Sequence, residues 1–271
     1  MGILKNTQLS GKVGSLRYTR YGNHTIVSEL PTVNNPQSAA QMRGRLRLNN
    51  ILQMYKLLKE DVEHNFQGCN DGRKVYAAFR SQNMKQTPVW LSGSDSQYGS
   101  CFVIAPYVVS DGNLESITAK NVDGGFVSDI QIGGLEISSS TTVKDLSMAI
   151  LTEPNDWKDG DVLHLIVLSQ SLTPEGNGRV ARVTSKTQEI VIGHDDHLLN
   201  SESVKWMNHG GSLGLSCEGM EDKVYGVAFV HRRLKGKEWQ VSRQTLVLND
   251  AVLLDAFSSD DAFRECLSAL K

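Results

Sequence analysis

The most tempting chemistry in the chain is His194-Asp195-Asp196-His197, with His209 twelve residues further on. Imidazoles and carboxylates at such spacing can ligate a divalent ion, yet a pair at i, i+3 outside a helix equally suits a hydrated loop. Gly210-Gly211-Ser212-Leu213-Gly214 has the glycines of a phosphate cradle. It lacks the Lys-Ser/Thr ending and the strand-before, helix-after setting that such cradles need, which predicts a flexible loop. Gly214-Leu215-Ser216-Cys217-Glu218-Gly219 shares pieces of a nucleophile elbow at the wrong spacing. The four cysteines, Cys69, Cys101, Cys217 and Cys266, match no zinc pattern and are expected as free thiols. The residues therefore predict no catalytic group, no metal and no cofactor.

Charge carries more information. Net charge is −2, but residues 1–60 hold nine Lys/Arg against Glu29 and Glu60, for +7, which leaves −9 on the remainder. Unlike ends attract, so a basic arm and an acidic body suit head-to-tail self-assembly. Arg17, Arg20, Arg43, Arg45, Arg47, Lys56 and Lys59, interleaved with Tyr18, Tyr21 and Tyr55, could also neutralise phosphates without reading bases. The aromatic residues Trp90, Trp157, Trp206, Tyr225, Phe229 and Trp239 suit packing better than a ligand cage.

The elements that would position these groups are mostly short. Residues 11–21 alternate in part, Tyr21-Gly22-Asn23-His24 supplies a turn, and Thr25–Ser28 returns antiparallel, a ribbon that is marginal alone. Asn35 and Pro36 suit a helix start. Leu48, Ile51, Leu52, Tyr55, Leu58 and Val62 then follow a helical period to about residue 66, and a shorter helix is expected around 74–80. Strands are expected at 89–91, 101–109, 126–132, 162–168, 180–183 and 188–192. Thr142-Val143-Lys144-Asp145 predicts a capping box that opens a helix through Leu151. Two late strands, 224–232 and 239–248, flank a hairpin turn at 234–237, and Ser259 caps a final helix. The fold class expected is α+β and β-rich. An arm of ribbon and long helix, residues 1–88, precedes a sandwich-like or barrel-like antiparallel body with short helices, residues 89–271. No run of signal-peptide or bilayer-spanning length appears, so a soluble protein without membrane contact is expected.

Several segments are also familiar. Gly11-Lys12-Val13-Gly14, the Pro31 exit and Asn35-Pro-Gln-Ser-Ala-Ala-Gln41 with Arg43 and Arg45 resemble the amino-terminal pattern of an uncharacterised family. That family occurs in Bacteroides-type bacteria and in the tailed phages that infect them, including crAss-like phages. Tyr76–Ser81 before Thr87-Pro88-Val89 agrees, as does the late hairpin Gly226–Arg233 with Trp239–Leu246. The resemblance implies a non-enzymatic virion protein: a ring, connector or tail-hub component, or a capsid accessory. It implies assembly with copies of itself and with other virion proteins, and no catalytic residue. Gly11 and Gly14 are then candidates for close backbone approach at the interface, and Arg17, Arg20, Arg43, Arg45 and Arg47 for its charged contacts. Non-specific DNA contact is the accompanying expectation, and a sugar- or host-binding sandwich the alternative.

Overall fold

The computed structural model describes residues 2–5, 10–21, 23–30, 39–86, 102–175, 178–199, 204–217 and 223–249. The expected strand at 89–91, the Asn35–Pro36 helix start and the helix opened by Ser259 lie outside them. Two compact units divide the chain, Met1–Gln41 and Met42–Lys271. The boundary expected at 88/89 falls within residues 87–101, which also lie outside the described residues.

The first unit is one antiparallel sheet of β1 (Gly2–Lys5), β2 (Gly11–Val13), β3 (Leu16–Tyr21) and β4 (His24–Glu29), in the order β1-β4-β3-β2. Residues 11–21 are not the single strand that alternation predicts. Gly14 adopts φ 57°, a left-handed conformation that costs glycine little, and turns the chain so that Val13 faces Leu16.

The second unit is built around a long antiparallel sheet. Its order is β13-β12-β8-β9, from β8 (Val162–Glu175), β9 (Gly178–Val191), β12 (Val224–Lys235) and β13 (Glu238–Val241). β8 and β9 each run 14 residues, so the two strands predicted at 180–183 and 188–192 are one. Side chains alternate across the sheet and each face has its own core. Ile166, Leu168, Ala228 and Val230 meet α1 (Ala39–Leu58) and α2 (Gly72–Gln86). Leu163, Leu165, Val227 and Phe229 meet α3 (Val143–Thr152) and a second open sheet. That sheet has the order β10-β11-β7-β6, from β6 (Ala119–Val122), β7 (Gly125–Gln131), β10 (Trp206–His209) and β11 (Ser212–Ser216). Burial on both faces explains why 224–230 reads as a nearly unbroken apolar run. The fold is α+β and strand-rich with antiparallel sheets, and none of the described sheets closes into a barrel.

Local chemistry sets the ends of the elements. The capping box at α3 is present: Thr142 accepts from the Asp145 N–H while the Asp145 carboxylate accepts from the Thr142 N–H. Gly210 and Gly211, both at positive φ, form the two-residue turn joining β10 to β11, where the sequence predicts a flexible loop. α1 ends at Leu58 instead of near 66, yet Val62 stays fully buried in the turns that follow. The stripe it buries is Ile51, Met54, Tyr55 and Leu58, with Leu48 left exposed.

In the segment predicted as a strand at 101–109, residues 102–107 form no strand, and β5 (Val108–Ser110) pairs with the short β14 (Gln244–Thr245). The segment's backbone is satisfied by side-chain amides. Asn50 accepts from the Val103 N–H at 2.8 Å, Gln170 from the Ile104 N–H at 2.8 Å, and Asn83 from the Val108 N–H at 2.8 Å. Three buried amides thus do the work of a neighbouring strand. The last strand, β15 (Val247–Leu248), pairs with β12.

Candidate functional site

In the first unit, cross-strand register sorts the sequence-predicted residues by face. Lys12 lies directly opposite Arg17, and Thr19 and Tyr21 continue that face toward His24 and Ile26. The other face carries Val13, Leu16, Tyr18, Arg20, Thr25 and Val27. Arg17 and Arg20 therefore point to opposite sides. Among the unit's residues whose burial is described, Thr25 alone is buried, while Val13 is 68% and Tyr21 74% exposed. Gly11 and Gly14 both have positive φ, and no atom lies within 4 Å of where a Cβ would sit on either. Their conformation accounts for glycine there, and the chain itself makes no close approach to them.

The three further arginines fall on α1. Arg45 is exposed and Arg47 half-buried, its charge acting on the buried Tyr107 hydroxyl; nothing is described of the Arg43 side chain. Tyr55 belongs to the core, its hydroxyl donating to the Gly72 carbonyl at 3.1 Å, so it is no stacking platform for a base.

The His194–His197 loop has a structural task. Its carbonyls cap α3: the Val143 N–H donates to His197 O at 2.9 Å and the Lys144 N–H to Asp195 O at 2.8 Å. His197 is in turn hydrogen-bonded to Asp195, whose carboxyl is held below the usual range chiefly by the His197 backbone N–H. Among the described residues, no three His, Cys, Asp or Glu side chains gather as a metal site. Cys69 and Cys217 are free thiols, and burial pushes Cys217 up to about 11.

What the sequence did not single out is the tripeptide His231-Arg232-Arg233 near the end of β12, which serves both faces of the central sheet. On one face Asp161, 2% exposed, gathers four donors. His231 Nε2 donates at 2.8 Å, Arg233 through Nε at 2.8 Å and a terminal nitrogen at 2.7 Å, and the Lys158 N–H at 2.9 Å. These donors hold the Asp161 carboxyl at about 2 in spite of its desolvation. Arg233 also binds Asp156 at 2.9 Å, and Trp157 stacks on His231 with centroids 3.8 Å apart. Ser242, the nearest hydroxyl in hydrogen-bond terms, is fully buried and accepts the His231 backbone N–H. With its lone pairs engaged, Asp161 works as a staple that fixes the 156–161 loop to the sheet.

On the opposite face Arg232 pairs with Glu189 and lies over Trp239, 5.5 Å from the ring centroid. The same cluster holds His164, 3.5 Å from Asn65 and nearly fully buried. Desolvation first, then the Arg232 charge, depresses His164 to about 4, so it is neutral at pH 7.

Beside the Asp161 cluster opens a hollow of about 240 Å³ between β7, residues 115–117 and the 154–157 loop. Glu115, Asp129, Asp156, Trp157 and His231 line it, and no lysine or arginine does so among the described residues. No family model, curated protein or solved structure matches this chain.

Proposed function

We propose that the chain is a non-enzymatic structural protein of a tailed-phage virion, forming a homo-oligomeric ring or layer in the tail or portal-connector region through its amino-terminal arm. The observation that carries this reading is how little the sheet of the first unit buries among its described residues. Four hydrogen-bonded strands with one described buried side chain do not offset the entropy of ordering them. Such a sheet is stabilised once a neighbour covers it. The sheet also ends in β1 and β2, whose outer edges are unpaired among the described residues and are open to strand addition. The charge split between residues 1–60 and the remainder favours a heterologous contact, basic arm to acidic body, which closes into a ring when the rotation permits. Capsid accessory proteins assemble by the same logic.

The test is the solution mass of the full-length protein beside a variant lacking residues 1–35. A discrete oligomer that falls to monomer on truncation, with the body still folded by circular dichroism, is the expected result. A full-length monomer at high concentration contradicts the reading. A second reading, a glycan- or host-binding module, draws on Trp157, which is half-buried and lines the hollow; Trp206 is buried against Phe229. Binding on a glycan array by a monomeric protein would favour it.

A further inference from the structure

The hairpin of β2 and β3 and the hollow beside Trp157 each carry charge that nothing in the chain is described as compensating. Lys12 and Arg17 are exposed and lie directly opposite each other, a like-charged cross-strand pair that destabilises a sheet. Their face carries no acid among the described residues, and neither side chain pairs with a carboxylate there. Around the hollow, Asp156 is matched by Arg233 at 2.9 Å, whereas Glu115 and Asp129 meet no lysine or arginine among the described residues. The Asp129 carboxylate accepts from a backbone donor, the Thr118 N–H at 2.9 Å.

The hollow is also held in shape. Asn155 donates to the Ile150 carbonyl at 2.7 Å and accepts the Trp157 N–H at 2.9 Å, which pins the 154–157 loop to the end of α3. His231 backs Trp157 from behind, 5% of its side chain exposed and tied to Asp161. An aromatic wall beside carboxylates is a setting that a planar guanidinium matches better than an ammonium does.

We infer that the Lys12–Arg17 hairpin of one copy seats in the Glu115–Asp129–Trp157 hollow of a second copy, Arg17 against the indole and Lys12 at the rim. This rests on the assembly reading above and names the two surfaces that meet. The contact is heterologous, so the copy that inserts its hairpin keeps its own hollow free, and the copy that receives it keeps its hairpin free for the next neighbour. Because the paired charges lie near solvent, the contact weakens as salt rises.

The experiment is charge reversal in the full-length protein, read as solution mass by light scattering. Lys12→Glu with Arg17→Glu gives one variant, Glu115→Lys with Asp129→Lys a second, and all four changes together a third. All four positions are exposed, so thermal unfolding of the body should be unchanged. Each double variant is expected to self-associate at least about tenfold more weakly. The quadruple variant should regain the wild-type mass, and the two doubles should associate with each other when mixed, since both restore opposite charge across the contact. Weakening by the hairpin variant alone means that it docks elsewhere, and weakening by the hollow variant alone means that another segment fills the hollow; either overturns the inference. A quadruple variant that stays dissociated overturns it too. In those cases an oligomeric wild type leaves the assembly reading standing, whereas a monomeric wild type removes both.

Discussion

Two antiparallel sheets in this molecule share their hydrogen bonding and differ in almost everything else. In the central sheet β8 and β12 are buried on both faces, against two helices on one side and a second sheet with α3 on the other. In the amino-terminal sheet the ladder β1-β4-β3-β2 is complete, but Thr25 is the one described side chain that is buried. A backbone hydrogen bond contributes little net stability because water competes for both groups, whereas each buried aliphatic or aromatic side chain contributes about 1.5–3 kcal/mol. The central sheet is therefore ordered by its own chain. On the proposed reading, the amino-terminal sheet takes its order from what covers it.

That contrast can be broken most severely from the body side. Asp161→Ala would leave the buried His231 without its carboxylate and Arg233 with Asp156 alone, and is expected to destabilise the body by about 3 kcal/mol in urea titrations followed by tryptophan fluorescence. A loss under about 1 kcal/mol would mean that the cluster does not staple the loop. Next comes a pH effect. His164 titrates at 6.5 when unfolded and at about 4 when folded, so folding favours its neutral form. The stability it links to is full above 6.5 and is lost as pH falls toward 4. His164→Gln should flatten that part of the curve of stability against pH. The smallest effect is the sharpest for the comparison. Val13→Ser with Tyr21→Ser, two exposed apolar side chains of the amino-terminal sheet, should shift unfolding of the monomeric body by no more than about 0.5 kcal/mol. The same pair should measurably weaken self-association.

Local signals in the sequence were enough for much of the body. The capping box at Thr142 and Asp145, the apolar alternation of 126–132 and the turn after Leu234 each lie within a few residues of one another, and each forms where it is expected. The misses share a cause. Residues 102–107 have the composition of a strand, but their partners are amides of Asn50 and Gln170, 53 and 66 residues away, and no local window shows that. The His231-Arg232-Arg233 alternation is visible as text, while its acceptors, Asp161 in the loop before β8 and Glu189 on β9, lie 70 and 43 residues away. Reading residues 11–21 as one strand hides the pairing of Lys12 with Arg17. Val13-Gly14-Ser15-Leu16 held the turn signal that sets Lys12 against Arg17 and sends Arg20 to the other face.

The central claim is that the amino-terminal sheet takes its order from a second copy, and amide hydrogen exchange against protein concentration tests it most directly. Protection of residues 11–29 should rise with concentration while that of β8 and β12 stays constant. Protection at 11–29 that is already high in dilute monomer and indifferent to concentration would contradict it.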